Sequence, residues 1–268
     1  MLACDEWMKD AEWMEELLKD ENKARDFHHP NEYELVPYLV DDGKKHPFAI
    51  ICPGGAYGMV CSYVEGEPFA EKLNSMGIHA FVLYYHVREK ALYPAPQEDL
   101  ARAVREVHER AEQWKLDTEN YSVWDSSAGG HLAASFGTEA MGYPKYDLPK
   151  PGALVLIYPV VSMGPQSHPD TRMHLLGESP SVEAVNMASV EKQVTDCYPA
   201  AFLWCGNADQ VVPPDNSRML AAALAEHGIP HEYVEYPEVD HGVGLGTGLV
   251  CEDWLERAVA FWQEQRTP

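Results

Sequence analysis

Basic residues are scarce in this chain: 20 Lys and Arg stand against 43 Asp and Glu, a formal net charge of −23. A field of that sign repels phosphate backbones and anionic lipid surfaces, which excludes nucleic-acid and membrane-surface binding and favours neutral or cationic small molecules as ligands. No apolar run reaches the length of a membrane span. The segment from Met1 to Asp20 lacks the apolar core of a signal peptide. The six cysteines (Cys4, Cys52, Cys61, Cys197, Cys205 and Cys251) include no C-x-x-C pair. They are expected to be buried free thiols in a reducing, cytoplasmic setting. Internal repeats and low-complexity linkers are also missing. The 268 residues can bury a sizeable core without a second globular unit.

What is present divides into an extension and a domain. Residues 1–32 are expected to form an amphipathic helical extension, because Trp7, Met8, Trp13, Met14, Leu17 and Leu18 recur at helical spacing. Its polar face is acidic, so the apolar stripe is read as docking on its own domain or on a second copy in a homodimer, not on lipid. Residues 33–268 alternate apolar runs with amphipathic stretches, the pattern of an α/β fold with a mostly parallel sheet and helices on both faces. Strands are expected near Tyr33 to Val40, Phe48 to Cys52, Ala80 to Tyr85, Tyr121 to Trp124, Ala153 to Tyr158, Ala200 to Trp204 and Glu232 to Tyr236. The clearest helices are Pro68 to Met76, Gln97 to Trp114, Ala128 to Glu139, Pro214 to His227 and Cys251 to Gln265, with Gly77 and Gly228 closing two of them. A polar insertion at about 160–198 is expected at the carboxyl ends of the strands as a small partial cap.

The most informative stretch is Trp124-Asp125-Ser126-Ser127-Ala128-Gly129-Gly130-His131. A short apolar strand precedes it and a helix of small residues follows, which is the setting in which a sharp strand-to-helix turn exposes a nucleophilic serine. Ser127 is the nucleophile candidate. The G-x-S-x-G pattern puts Asp125 where the first glycine belongs, and a carboxyl there either crowds the strand against the helix or enters a polar pocket that donates hydrogen bonds to it.

A serine nucleophile needs a base, an acid to orient that base, and donors for the developing oxyanion. Asp209 follows the strand Ala200 to Trp204, and His241, with Gly242 after it, follows Glu232 to Tyr236. The order Ser127, Asp209, His241 is the order such a fold uses. Asp240 is the rival acid, but adjacent residues rarely point at each other's rings. Upstream, Pro53-Gly54-Gly55-Ala56-Tyr57-Gly58 follows an apolar strand, so the amides of Gly55, Ala56 and Ala128 are the expected oxyanion donors. Tyr57, Val212 and Pro213 adjoin these loops and are the candidate substrate-binding residues. His131 and the pair His28-His29 read as satisfied histidines, and no metal site is expected.

Taken together, Pro53-Gly54-Gly55-Ala56-Tyr57, Ser127 through Ala133, Asp209 through Pro214 with Asn216-Ser217, and His241-Gly242 make the chain resemble bacterial α/β-hydrolases of the carbohydrate-esterase type, the acetyl xylan and feruloyl esterases. The resemblance covers nearly everything after Glu32. It implies hydrolysis of a small acyl ester, commonly acetate on a sugar, through an acyl-enzyme and without a cofactor. Asp125 departs from it. Two other readings stand beside the esterase: a peptidase or arylformamidase on the same scaffold, and a weakened or silent ligand-binding member in which Asp125 disables the turn.

Overall fold

The computed structural model describes Lys19 and residues 31–265, so the expected N-terminal helix and Cys4 lie outside the described residues. Seven strands form one sheet: β1 (Glu34–Tyr38), β2 (Phe48–Ile51), β3 (His79–Tyr84), β4 (Ser122–Ser126), β5 (Ala153–Ile157), β6 (Ala200–Gly206) and β7 (His231–Tyr236). Their spatial order is β1-β3-β2-β4-β5-β6-β7. Only β1 runs antiparallel to its neighbour; every other pairing is parallel. The sequences explain this layout. Strands β2 to β6 are buried along their whole length, and all but β4 read as largely apolar runs, as strands covered on both faces do; β4 takes Ser122, Asp125 and Ser126 into the buried layer. Pro37 is tolerated because β1 is an edge strand, and β7, the other edge, carries Glu232 and Glu235 half-buried.

The helices are α1 (Ser62–Glu65), α2 (Glu67–Ser75), α3 (Ala95–Glu109), α4 (Ala111–Trp114), α5 (Ser127–Phe136), α6 (Pro169–Leu176), α7 (Val182–Ala188), α8 (Asp215–Glu226) and α9 (Trp254–Glu264). Gly77 and Gly228 follow α2 and α8 with φ of +77° and +64°, the left-handed exit expected of them. The single helix expected over Gln97 to Trp114 is broken at Arg110 into α3 and α4. The insertion carries α6 and α7. Of the cysteines, Cys52, Cys205 and Cys251 are buried and Cys61 is half-buried, but Cys197 is exposed; all five are free thiols. Among the described residues no helix is long and apolar enough to cross a membrane.

Two contacts decide where the functional loops go. Trp124 of β4, Trp204 of β6 and Trp254 and Trp262 of α9 are fully buried, with Trp254 5.9 Å from Trp204 and 6.1 Å from Trp124 between ring centroids. Large buried aromatics of this kind dominate core energetics. Trp254 also spends its indole N–H on the Gly244 carbonyl (3.1 Å), which ties α9 to the loop after β7. On α5, Gly129 lies against β2 so closely that a Cβ there would be 1.7 Å from the Cys52 carbonyl oxygen. Gly129→Ala is therefore expected to cost at least ~3 kcal/mol, the upper end of overpacking penalties. A denaturant-unfolding midpoint equal to the parent's would show that α5 can draw back from β2 freely.

Candidate functional site

The site lies at the carboxyl ends of the strands, where crossover sheets collect their loops. Ser126 ends β4 in extended conformation, and Ser127 then turns to φ +52° as the first residue of α5. A serine in the left-handed region carries roughly 1–2 kcal/mol of strain, which persists only where its surroundings fix it. Here the Val160 amide holds the Ser127 carbonyl (2.9 Å) while Gly129 seats the helix. The turn leaves the serine side chain at the surface end of the sheet and the Ala128 amide in the first turn of α5, where backbone N–H groups have no partner within the helix.

Asp209 and His241 sit on the loops after β6 and β7, and the two loops are cross-linked. The Ala208 amide donates to the Val239 carbonyl, the Glu238 amide to Asn207 Oδ1, and Asp240 Oδ1 accepts from the amides of both Gln210 and His241. Asp240 therefore pins the loops and leaves the ring to Asp209. His241 Nδ1 is 2.7 Å from Asp209 Oδ2, and His241 Nε2 is 2.9 Å from Ser127 Oγ. The other Asp209 oxygen accepts from the amides of Val211 (2.9 Å) and Val212 (2.8 Å). The Asp209 side chain is fully buried, held between these two N–H groups and the imidazole. The structure thus brings the three residues into one hydrogen-bonded chain.

The loop 53–58 turns through three consecutive left-handed residues, Gly55, Ala56 and Tyr57. It is clamped from several sides. Tyr85 donates its hydroxyl to the Pro53 carbonyl, Arg88 its amide to the Tyr57 carbonyl, and His174 of α6 its Nδ1–H to the Ala56 carbonyl (2.8 Å). The insertion therefore touches the loop directly. Tyr57 is fully buried, with its hydroxyl 3.0 Å from His131 Nδ1; Val212 is buried and Pro213 exposed. His131 donates from Nε2 to the Ala188 carbonyl (2.8 Å) and accepts at Nδ1 from Tyr57, and burial pushes its pKa down to about 4, so it is a neutral, fully satisfied histidine inside α5. Among the described residues no three His, Cys, Asp or Glu side chains cluster as metal ligands.

Asp125 occupies its position without breaking the turn. It is fully buried in β4, one oxygen accepts from the Ser126 amide, and the other has no hydrogen-bond partner. Burial first, and then the charge of Glu65, raise its carboxyl well above the usual carboxylate range. Both effects shift it toward the protonated form. Sequence reasoning missed two neighbours of the serine. Glu65 of α1 is buried, with Oε2 on the Gly54 amide (3.0 Å) and Oε1 on the Tyr158 hydroxyl (2.9 Å). The Tyr158 ring stands edge-on to His241, centroids 4.8 Å apart. Position at a strand's carboxyl end could have flagged Tyr158, whereas Glu65 is one acid among many in an acidic chain and gave no signal. Asn216 also does more than its motif suggested: its Oδ1 accepts the amides of Val161 and Ser162 (3.0 Å each), anchoring the start of the insertion to α8.

A parallel sheet with a serine at a strand-to-helix turn, and an aspartate and a histidine on later loops, is the architecture of an α/β-hydrolase. Comparison with known proteins agrees. The BD-FAE family model matches residues 38–224. The crystal structure of an acetyl ester-xyloside bifunctional hydrolase from Caldicellulosiruptor lactoaceticus superposes with a TM-score of 0.80 at 34% identity, covering 92% of this chain and 94% of that one. Endo-1,4-beta-xylanase B of Butyrivibrio fibrisolvens is 33% identical over 91% of this chain, and an acetylxylan esterase of Xylanibacter ruminicola 28% identical over 84%. The chain spans 40% and 49% of the length of those two relatives. It belongs to the BD-FAE family and is an α/β-hydrolase of the carbohydrate-esterase type.

The raised carboxyl of Asp125 sets a sign for stability against pH. The folded protein keeps this proton to higher pH than the unfolded chain does, so the contribution is full in acid and is lost as pH rises from the ordinary carboxylate range toward the raised value. Asn has the shape of the protonated acid and no proton to lose. Asp125→Asn is expected to melt with the parent in acid and above it with rising pH, at ~2–4 °C for each kcal/mol in a domain of this size. Thermal melts across the pH range check this; a constant gap between the two proteins would mean that Asp125 does not titrate on unfolding.

Proposed function

We propose that this chain is a serine carboxylic-ester hydrolase that removes small acyl groups, acetyl foremost, from a carbohydrate through an acyl-enzyme. The observation that carries the reading is the continuous hydrogen-bonded path from Ser127 Oγ through the His241 ring to Asp209. His241 Nε2 takes the Ser127 proton as Oγ attacks the ester carbonyl. Asp209 holds the Nδ1–H tautomer and stabilises the imidazolium that forms. The carbonyl oxygen becomes an oxyanion, for which the amides of Ala128, Gly55 and Ala56 are the assigned donors. One such donor is worth ~10²–10³ in rate. The imidazolium then protonates the departing sugar oxygen, water enters, His241 takes a proton from it, and the acyl-enzyme hydrolyses to the carboxylic acid and free Ser127. No step draws on a cofactor.

Val212 and Pro213, on the acid loop, are the residues assigned to the acyl group; Tyr57, the third substrate-binding candidate, is fully buried with its hydroxyl on His131 and is assigned instead to holding the oxyanion loop. Similarity to an acetylxylan esterase and an acetyl ester-xyloside hydrolase supports acetylated xylose chains as the substrate class. The net charge of −23 suits an uncharged sugar ester. Asp125 is compatible with activity: enclosed in the strand, with burial pushing its carboxyl toward the protonated form, it leaves the Ser127–His241 contact at 2.9 Å.

With p-nitrophenyl acetate and an acetylated xylo-oligosaccharide near neutral pH, Ser127→Ala is expected to lose ~10⁴-fold or more in kcat/KM. Asp125→Gly is expected to stay close to the parent. Turnover that survives Ser127→Ala would refute the serine mechanism, and turnover that appears only in Asp125→Gly would make the native turn a disabled one.

A further inference from the structure

Two carboxyls are buried behind the serine, and they are held differently. Asp125 makes a single hydrogen bond and leaves one oxygen bare. Glu65 uses both oxygens, one on the Gly54 amide and one on the Tyr158 hydroxyl. That hydroxyl in turn accepts the Gly244 amide (3.2 Å), and the ring it belongs to packs on His241. A single carboxylate therefore joins the oxyanion loop, the end of β5 and the loop that carries His241. It does so at very close range: a Cβ on Gly54 would be 2.5 Å from Glu65 Oε2 and 3.0 Å from the Ser127 Cβ, so glycine is required there by the acid and the nucleophile together.

Two acids in one dry region cannot both ionise cheaply, and the better-solvated one keeps the charge. Burial raises both carboxyls, but Glu65 is compensated by the Gly54 amide, the Tyr158 hydroxyl and the positive charge that His241 can carry, whereas Asp125 is raised further by Glu65 itself. The titratable groups facing Glu65 are thus Asp125 from β4, Tyr158 just after β5 and His241 from the loop after β7, and His241 itself also faces Asp209 and, from the insertion, His168.

We propose that Glu65 is a positioning residue of this hydrolytic site: a buried carboxyl, with a donor on each oxygen, that fixes the oxyanion loop relative to His241 and offers negative charge behind the imidazolium when that forms. The inference rests on the serine-esterase reading. Its charge acts when Ser127 gives up its proton, because the imidazolium then formed faces two carboxylates, Asp209 directly and Glu65 across the Tyr158 ring. Its hydrogen bonds act throughout, by keeping the loop that receives the oxyanion in one register with the base.

Glu65→Gln and Tyr158→Phe separate the two roles. Gln removes the charge and one acceptor, so kcat for p-nitrophenyl acetate is expected to fall ~10–100-fold, the scale of a small misplacement of reacting groups, with KM little changed. The acid limb of kcat/KM moves to lower pH, because an imidazole that loses a negative neighbour is harder to protonate. Phe keeps the charge and the ring but cuts the bridge; kcat falls while the acid limb stays near the parent's. Protonation of the His241 ring followed by NMR needs no turnover and is expected to shift to lower pH in Glu65→Gln. Parent-like kcat and pH profile in both variants would overturn the proposal. A rate loss with the ring titration unmoved would also overturn it, by reducing Glu65 to a scaffold residue. Should Glu65→Gln fail to fold, an unchanged kcat in Tyr158→Phe refutes the linkage. A parent without esterase activity refutes the esterase reading alone, since the ring titration still decides the role of Glu65.

Discussion

At the end of β4 the chain passes from strand to helix within one residue, and the contact of Gly129 with the Cys52 carbonyl determines how sharply. Because α5 can approach β2 to that distance, Ser127 is held at positive φ, its side chain stands clear of the sheet, and its successor's amide opens a helix beside the loop that leaves β2. The same approach brings loop 53–58 next to the serine, since that loop begins at Cys52. Ser127 and the loop 53–58 are two sides of one close contact between a strand end and a helix start.

The other half of the site is built by polar bonds between loops. Asn207, Asp240 and the Ala208 amide fasten the loop after β6 to the loop after β7 before either contributes a side chain to chemistry. Asp209 then spends one oxygen on its own loop and the other on His241. Each buried charge near the serine is thereby assigned a place. Asp209 and Glu65 are satisfied acceptors, Asp125 is pushed toward its protonated form, and His131 is neutral because burial outweighs its basicity. In an acidic chain such ordering matters, because every additional buried charge would add to a field already of one sign.

Much of this was legible in the sequence because it depended on local pattern. Apolar runs bounded by turn residues gave all seven strands to within a few residues, and the glycines after α2 and α8 gave the helix ends. Ser127, Asp209 and His241 could be named because each sits just after a strand, where a parallel sheet must place its loops. What could not be read were pairings set by distance in space. Glu65 lies 93 positions from Tyr158 in the chain, and nothing in the composition of α1 marks it. The fate of Asp125 turned on whether its pocket leaves it charged, which follows from three-dimensional burial and a second acid. The break at Arg110 was invisible because the helical pattern continues through it. The role of His174 was hidden in an insertion without periodicity.

Trp254 couples the core to the loop that carries His241. Its indole, wedged among Trp124 and Trp204, is also the hydrogen-bond donor to the Gly244 carbonyl, three residues beyond His241. The loop that presents the imidazole is therefore completed by a helix synthesised after it. The seating of one helix among the buried tryptophans thus reaches the imidazole through a single indole N–H, and a change of packing deep in the core is felt at the open end of the sheet.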